Sequence, residues 1–219
     1  MNPDSGKAPK FKQNYYLADN FKQPSTMYLF FDVEAAGKPK KWKSPHTDTF
    51  NWPRMVQLAW VTCDENYMPI ERHNCIIKPD GWDIPYESER IHKISPEIAS
   101  EKGIPVKEAL EKFAADIKEA KYVVAHNMNY CASVVGAEFI RASVNHRLFE
   151  SEQYCTMRES THFCKLPGKD GRLKWPSLKE LHIKLFRTIP KGLNNAAVDA
   201  EVCGVCFFKL LELEAIDIF

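Results

Sequence analysis

The sequence has no apolar run approaching the roughly 18 residues of a membrane-spanning helix, so no membrane role is expected. It has no excess of either charge: 30 Lys and Arg stand against 29 Asp and Glu, a formal net charge of +1. That balance excludes a strongly basic coat protein and an acidic solvating tail, while leaving room for a local basic groove. It has no apolar stretch behind the polar N-terminus, so no secretory signal is expected. Its 7 cysteines are odd in number and follow no framework spacing, which points to a reducing, cytoplasmic compartment. Repeats and low-complexity tracts are also missing. What remains is a chain of 219 residues, long enough to bury a core without disulfides or a structural metal.

Residues 1–25 form a polar N-terminal arm, and residues 26–219 carry continuous apolar patterning that reads as one domain. Met27 to Val33 predicts a buried strand, because its apolar run lacks polar alternation. Met55 to Cys63 and Ile70 to Ile77 predict a hairpin through Asp64-Glu65-Asn66. Ser95-Pro96 starts a short helix. From Pro105 the apolar positions Val106, Ala109, Leu110, Phe113 and Ile117 describe an amphipathic one. Tyr122 to Ala125 is a short strand, followed by a helix to about Ala142 capped by Asn127 or Asn129. An extended piece near Tyr154 to Met157 precedes a helix from Ser177 to Phe186. Asn194 or Asn195 caps a last helix to about Leu213. A hairpin followed by alternating strands and helices implies an α/β fold with a mixed central sheet flanked by helices.

Three segments carry chemistry. In Phe30-Phe31-Asp32-Val33-Glu34, the acids at i and i+2 project to one face of a strand. Two acids at the end of an apolar strand call for a compensating cation, unless that end is simply solvated. The second segment is Tyr122 to Cys131, with Ala125-His126-Asn127 inside it. The third is Leu193 to Glu201, where Asp199 heads a helical stripe through Cys203, Cys206, Leu210 and Leu213.

In order and spacing these segments resemble the DEDD 3′–5′ exonuclease superfamily. The resemblance is to the DEDDh proofreading epsilon-subunit type of DNA polymerase III, and it covers roughly residues 27 to 213. Phe31 to Glu34 looks like the first family motif. Ala125-His126-Asn127 with Tyr130 looks like the second, and Asn194 with Asp199 looks like the third; Ile91-His92-Lys93-Ile94 resembles a recurrent stretch between the first two. The resemblance implies an RNase H-like fold, a site for Mg²⁺ or Mn²⁺ and removal of nucleotides from DNA or RNA 3′ ends. Asp32, Glu34 and Asp199 would be the catalytic metal ligands.

The sequence departs from that family at two functional positions. Cys131 stands where the family places an acid, and Asn194 stands where it places the general-base histidine. Ala35, Ala36, Asn195 and Cys155 are further departures. A neutral thiol is a poor ligand for a hard cation, so at most one weak Mg²⁺ or Mn²⁺ site is expected. An amide accepts no proton at relevant pH, so base assistance of about 10²–10⁴-fold is missing. Glu138 lies too far along its helix from Cys131 to substitute for the missing acid, and His126 is no evident replacement base.

The loop from Lys38 to Arg54 carries Lys38, Lys40, Lys41 and Lys43 with Trp42 and Trp52 interleaved, against Asp48 alone. Such a loop suits a single-stranded nucleic acid, or it is a solvated loop pinned by a buried Trp. Asn51-Trp52-Pro53-Arg54 reads as anchoring. By resemblance, Asn127 would join Lys38, Lys40, Lys41, Trp42 and Lys43 as a nucleic-acid contact. Cys203 and Cys206 read as a buried pair, and His46, His73, His146, His162 and His182 as surface or packing residues. The expected function is nucleic-acid binding with hydrolysis lost or strongly weakened. An active 3′–5′ exonuclease and a protein-interaction scaffold are the alternatives.

Overall fold

A computed structural model describes residues 27–218, so the polar arm expected at residues 1–25 lies outside the described residues. Five strands run β1 (Tyr28–Ala35), β2 (Met55–Cys63), β3 (Pro69–Ile76), β4 (Tyr122–Ala125) and β5 (Glu152–Cys155). The helices are α1 (Tyr86–His92), α2 (Pro96–Lys102), α3 (Val106–Glu119), α4 (Met128–Ala142), the short α5 (Thr156–Glu159) and α6 (Thr161–Cys164), α7 (Leu178–Phe186) and α8 (Ala196–Glu212). The sheet order is β3-β2-β1-β4-β5. β2 is antiparallel to both β1 and β3, while β1, β4 and β5 are parallel. This is the mixed sheet that the sequence predicts.

β1 lies at the centre and is covered on both faces, which is why Tyr28 to Phe31 show no polar alternation. Leu29, Phe31 and Val33 pack with α3 and α4 in one core, and Tyr28 and Phe30 pack with α7 and α8 in another. Ala109, Leu110, Phe113 and Ile117 of α3 are buried as its spacing predicts, and each large side chain contributes about 1.5–3 kcal/mol. Gly204 lets α8 approach β1, because a Cβ there would lie 3.2 Å from the Phe30 ring. That approach sets the distance at which α8 presents Asp199 to β1.

The structure decides between some local expectations, bears out the Ser177 cap and corrects others. Asn127 occupies the N-cap of α4 in the left-handed region at φ 73°, with no side-chain capping bond. Its carbonyl instead accepts from the backbone N–H groups of Tyr130 and Cys131. Asn195, not Asn194, caps α8, accepting at 3.1 Å from the Ala197 N–H. β5 ends at Cys155, and Thr156 and Met157 already belong to a helix. Leu213 falls off the buried stripe of α8 and is exposed. Ser177 and Glu180 form a full capping box at the start of α7.

Candidate functional site

Asp32 and Glu34 stand at the carboxyl end of β1, where open α/β sheets place their ligands. The pairing register of β1 with β2 shifts between Glu34 and Ala35, turning the strand end beside Glu34. Asp199 comes from the first turn of α8. Carboxylate oxygens from all three lie within 4.8 Å of one another. Among the described residues no Lys or Arg pairs with them, and Asp199 Oδ1 is buried without a hydrogen-bond partner.

Burial, and then the charges of Asp199 and Glu34, hold the Asp32 carboxyl well above its usual range. Burial and Asp199 push Glu34 up to about 7, and burial pushes Asp199 up to about 6 against two backbone N–H donors. Three acids that resist ionisation together, one with an orphaned oxygen, fit a hard divalent cation held by Asp32, Glu34 and Asp199. The folded state holds these protons more tightly than the unfolded chain, so the sites lower stability as pH rises from about 4 to about 7. The metal-free protein should therefore melt at a higher temperature in mildly acidic than in neutral buffer. Mg²⁺ at neutral pH should restore the difference. Differential scanning fluorimetry of wild type and Asp199→Asn checks this: the variant should be less pH-sensitive over that window and lose the Mg²⁺ response.

Cys131 and Asn194, the two departures read from the sequence, are placed differently. Cys131 lies in the first turn of α4, is 2% exposed, and its thiol donates to Asp32 Oδ1 at 3.4 Å. Burial and the neighbouring Asp32 push that thiol well up, so it stays protonated and supports Asp32 from behind. Asn194 is exposed at φ 64°, and its backbone N–H donates to Asp199 Oδ2 at 3.0 Å. The bonds to Asp32 and Asp199 position both acids, while neither residue adds an anionic ligand or a base.

The other possible substitutes are committed elsewhere. His126 Nε2–H donates to the Pro176 carbonyl at 3.0 Å, and Nδ1 accepts from the Thr156 hydroxyl at 2.9 Å. Burial pushes its imidazole down to about 4, so it is a neutral strut between β4 and the segment before α7. Glu138 is fully buried and binds Arg54 and Arg141, each at 2.8 Å, together with the Met55 N–H at 3.1 Å.

Beside Glu34 opens a cleft of about 530 Å³ lined by Lys38, Trp42, Ile91, Asn127 and Tyr130 among others. Lys40, Lys41 and Lys43 are exposed on the same loop but do not line that cleft. Trp42 is 54% exposed and leans on the Tyr130 ring, whereas Trp52 is buried and its indole donates to the Pro45 carbonyl. Asn51 bonds the Lys41 backbone through both amide atoms. The anchoring read for Asn51 to Arg54 is thus what the loop shows, with Arg141 also donating to the Trp52 and Thr49 carbonyls.

Two contributions were not singled out from sequence. α1 lends Glu87, Arg90 and Ile91 to the cleft. On the Asp199 side, Lys179 and Ile189 share a second hollow with Asn194. The Ile91-His92 resemblance was the only pointer to the first. Nothing in the spacing pointed to the second.

No protein-family model matches the chain, and no curated protein matches it. Solved structures do. E. coli exonuclease I in complex with a dA16 oligonucleotide matches with a TM-score of 0.67 at 17% identity, over 86% of this chain and 41% of that one. A zinc-bound E. coli exonuclease I complex with single-stranded DNA matches with a TM-score of 0.66 at 16% identity, over 88% and 41%. Exonuclease I from Methylocaldum szegediense matches with a TM-score of 0.66 at 17% identity, over 84% and 40%. The chain spans about two fifths of the length of these proteins. With its mixed five-stranded sheet flanked by helices, the chain shares the RNase H-like fold of these exonuclease I structures.

Proposed function

We propose that this chain is a nucleic-acid-binding protein of the DEDDh 3′–5′ exonuclease type in which hydrolysis is lost or strongly weakened. One observation carries the reading. The acids from β1 and α8 converge beside a cleft, while a buried thiol and an exposed amide stand where the resemblance would put an acid and a general base. Asp32, Glu34 and Asp199 would hold one Mg²⁺ or Mn²⁺ weakly. Such an ion, when bound, supplies Lewis-acid stabilisation of charge on a phosphate. Cys131 and the Asn194 backbone orient Asp32 and Asp199, and no side chain at 194 takes up a proton. The persistence of all three acids favours an active exonuclease as the second reading, with the rate lowered rather than abolished.

Single-stranded DNA or RNA 3′ ends are the proposed ligands, with Lys38, Trp42 and Asn127 in the cleft and Lys40, Lys41 and Lys43 beside it. The matching exonuclease I structures with DNA oligonucleotides support single-stranded DNA as the ligand class. Binding should weaken with salt through counterion release, and Lys40→Glu combined with Lys41→Glu should weaken it further and flatten the salt slope. Trp42→Ala should cost about 1–3 kcal/mol if a base stacks there. Fluorescence anisotropy with a labelled single-stranded oligonucleotide measures all three. Absence of binding by the unaltered protein at low salt would support the scaffold instead.

A further inference from the structure

A second cluster of ligand-type side chains lies on the other face of the sheet. Glu71 and His73 alternate on the edge strand β3, and Asp116 faces them from α3. His73 pairs with Trp60, and Trp60 with Phe31, so the cluster shares the α3–α4 face with Phe31. Asp32 is offset by one residue and projects to the opposite face. The two clusters are therefore separate sites.

Their geometry is that of a small coordination sphere. His73 Nε2 lies 3.0 Å from Glu71 Oε2 and 3.4 Å from Asp116 Oδ2, and one ligand atom from each residue lies within 4.8 Å of the others. Tetrahedral zinc with bonds of about 2.0–2.1 Å separates its ligand atoms by about 3.3 Å. Both spacings from His73 lie within a few tenths of an ångström of that value, and the Glu71 and Asp116 oxygens lie within 4.8 Å of each other. Two of the three ligands are already fixed from outside. The Trp60 indole N–H donates to Asp116 Oδ2 at 2.6 Å, and the His73 imidazole stacks on the same indole at 4.5 Å and 18°. Such outer contacts hold ligating carboxylates and imidazoles in metal sites.

We infer that Glu71, His73 and Asp116 form a transition-metal site, selective for Zn²⁺-like ions, that clips the edge strand β3 to α3. The imidazole selects borderline ions over Mg²⁺, and two carboxylates neutralise the charge. His73 is 27% side-chain exposed and Glu71 63%, so the ion enters from solvent and a fourth position stays open to water. Among the described residues β3 is the edge strand of the sheet, so the clip fastens the outermost strand to α3. This inference is independent of the nucleic-acid reading.

The test is calorimetric titration of Zn²⁺ into a background protein carrying Asp32→Asn and Asp199→Asn, which removes two of the three acids of the β1 and α8 cluster. Co²⁺ titration in parallel reads coordination from the visible spectrum. One equivalent of Zn²⁺ should bind, with affinity reduced at least about tenfold in Glu71→Gln and in His73→Ala. Zn²⁺ should raise the melting temperature of that background protein, and not of the same protein carrying Glu71→Gln or His73→Ala. Glu71 is exposed and its variant folds without difficulty, which separates lost ligation from lost structure. No Zn²⁺ binding, leaving a plain His–carboxylate bridge, would overturn the inference. So would undiminished binding in both variants.

Discussion

Asn194→His combined with Cys131→Asp is expected to convert a slow or silent protein into a measurable metal-dependent 3′–5′ exonuclease. Asn194 sits at φ 64°, a conformation that histidine tolerates better than most residues, so the backbone need not change. Its backbone N–H already holds Asp199, which places a side chain at 194 beside the acid cluster. A base there restores about 10²–10⁴-fold, or about 3–5 kcal/mol of transition-state stabilisation. Cys131→Asp acts differently. It sets a carboxylate where the thiol now touches Asp32 at 3.4 Å, so without metal it should destabilise the protein by like-charge repulsion. With Mn²⁺ it should add support for a second ion. Because both changes serve one transition state, the double variant should exceed either single one non-additively. Single-turnover cleavage of an end-labelled oligonucleotide provides the readout. Ala35, Ala36 and Asn195 also differ from the family pattern, so full family rates are not expected.

Glu138→Ala is expected to produce the largest loss of stability. Glu138 is fully buried and neutralises both Arg54 and Arg141. Removing it leaves those guanidiniums and the Met55 N–H without their shared acceptor, a change of about 3–5 kcal/mol. For a chain of this size the melting temperature should fall by roughly 6–20 °C. Arg54 and Arg141 also hold the loop that presents Lys38 and Trp42, so oligonucleotide affinity should fall although Glu138 does not line the cleft. Thermal melts and anisotropy on the same preparation check both effects. An unchanged melting temperature contradicts the role assigned to this acid.

The legible parts of the fold were those written in local spacing. The unbroken apolar run of β1, the β2–β3 hairpin, the i, i+3, i+4 pattern of α3 and the Ser177 start of α7 each fix an element without distant partners. Asp32, Glu34 and Asp199 were legible because the order of three segments carries a resemblance that composition alone does not. Helix α1 was not legible, because Tyr86 to His92 buries only Ser88 and His92 and so shows no apolar stripe. The use made of Glu138 was hidden because Arg54 lies 84 positions away. The direction of Cys131, toward Asp32 rather than into solvent, depends on the left-handed turn at Asn127, which no capping rule announces. His73 read as a surface or packing histidine because its partners come from a neighbouring strand position and from α3.

One experiment bears most directly on the central claim. A labelled single-stranded oligonucleotide is incubated with the unaltered protein and Mn²⁺, and bound and shortened fractions are read from the same samples, with Asp32→Ala as control. Salt-sensitive binding with little or no shortening is the predicted result. Rapid metal-dependent shortening by the unaltered protein, abolished in Asp32→Ala, would contradict it.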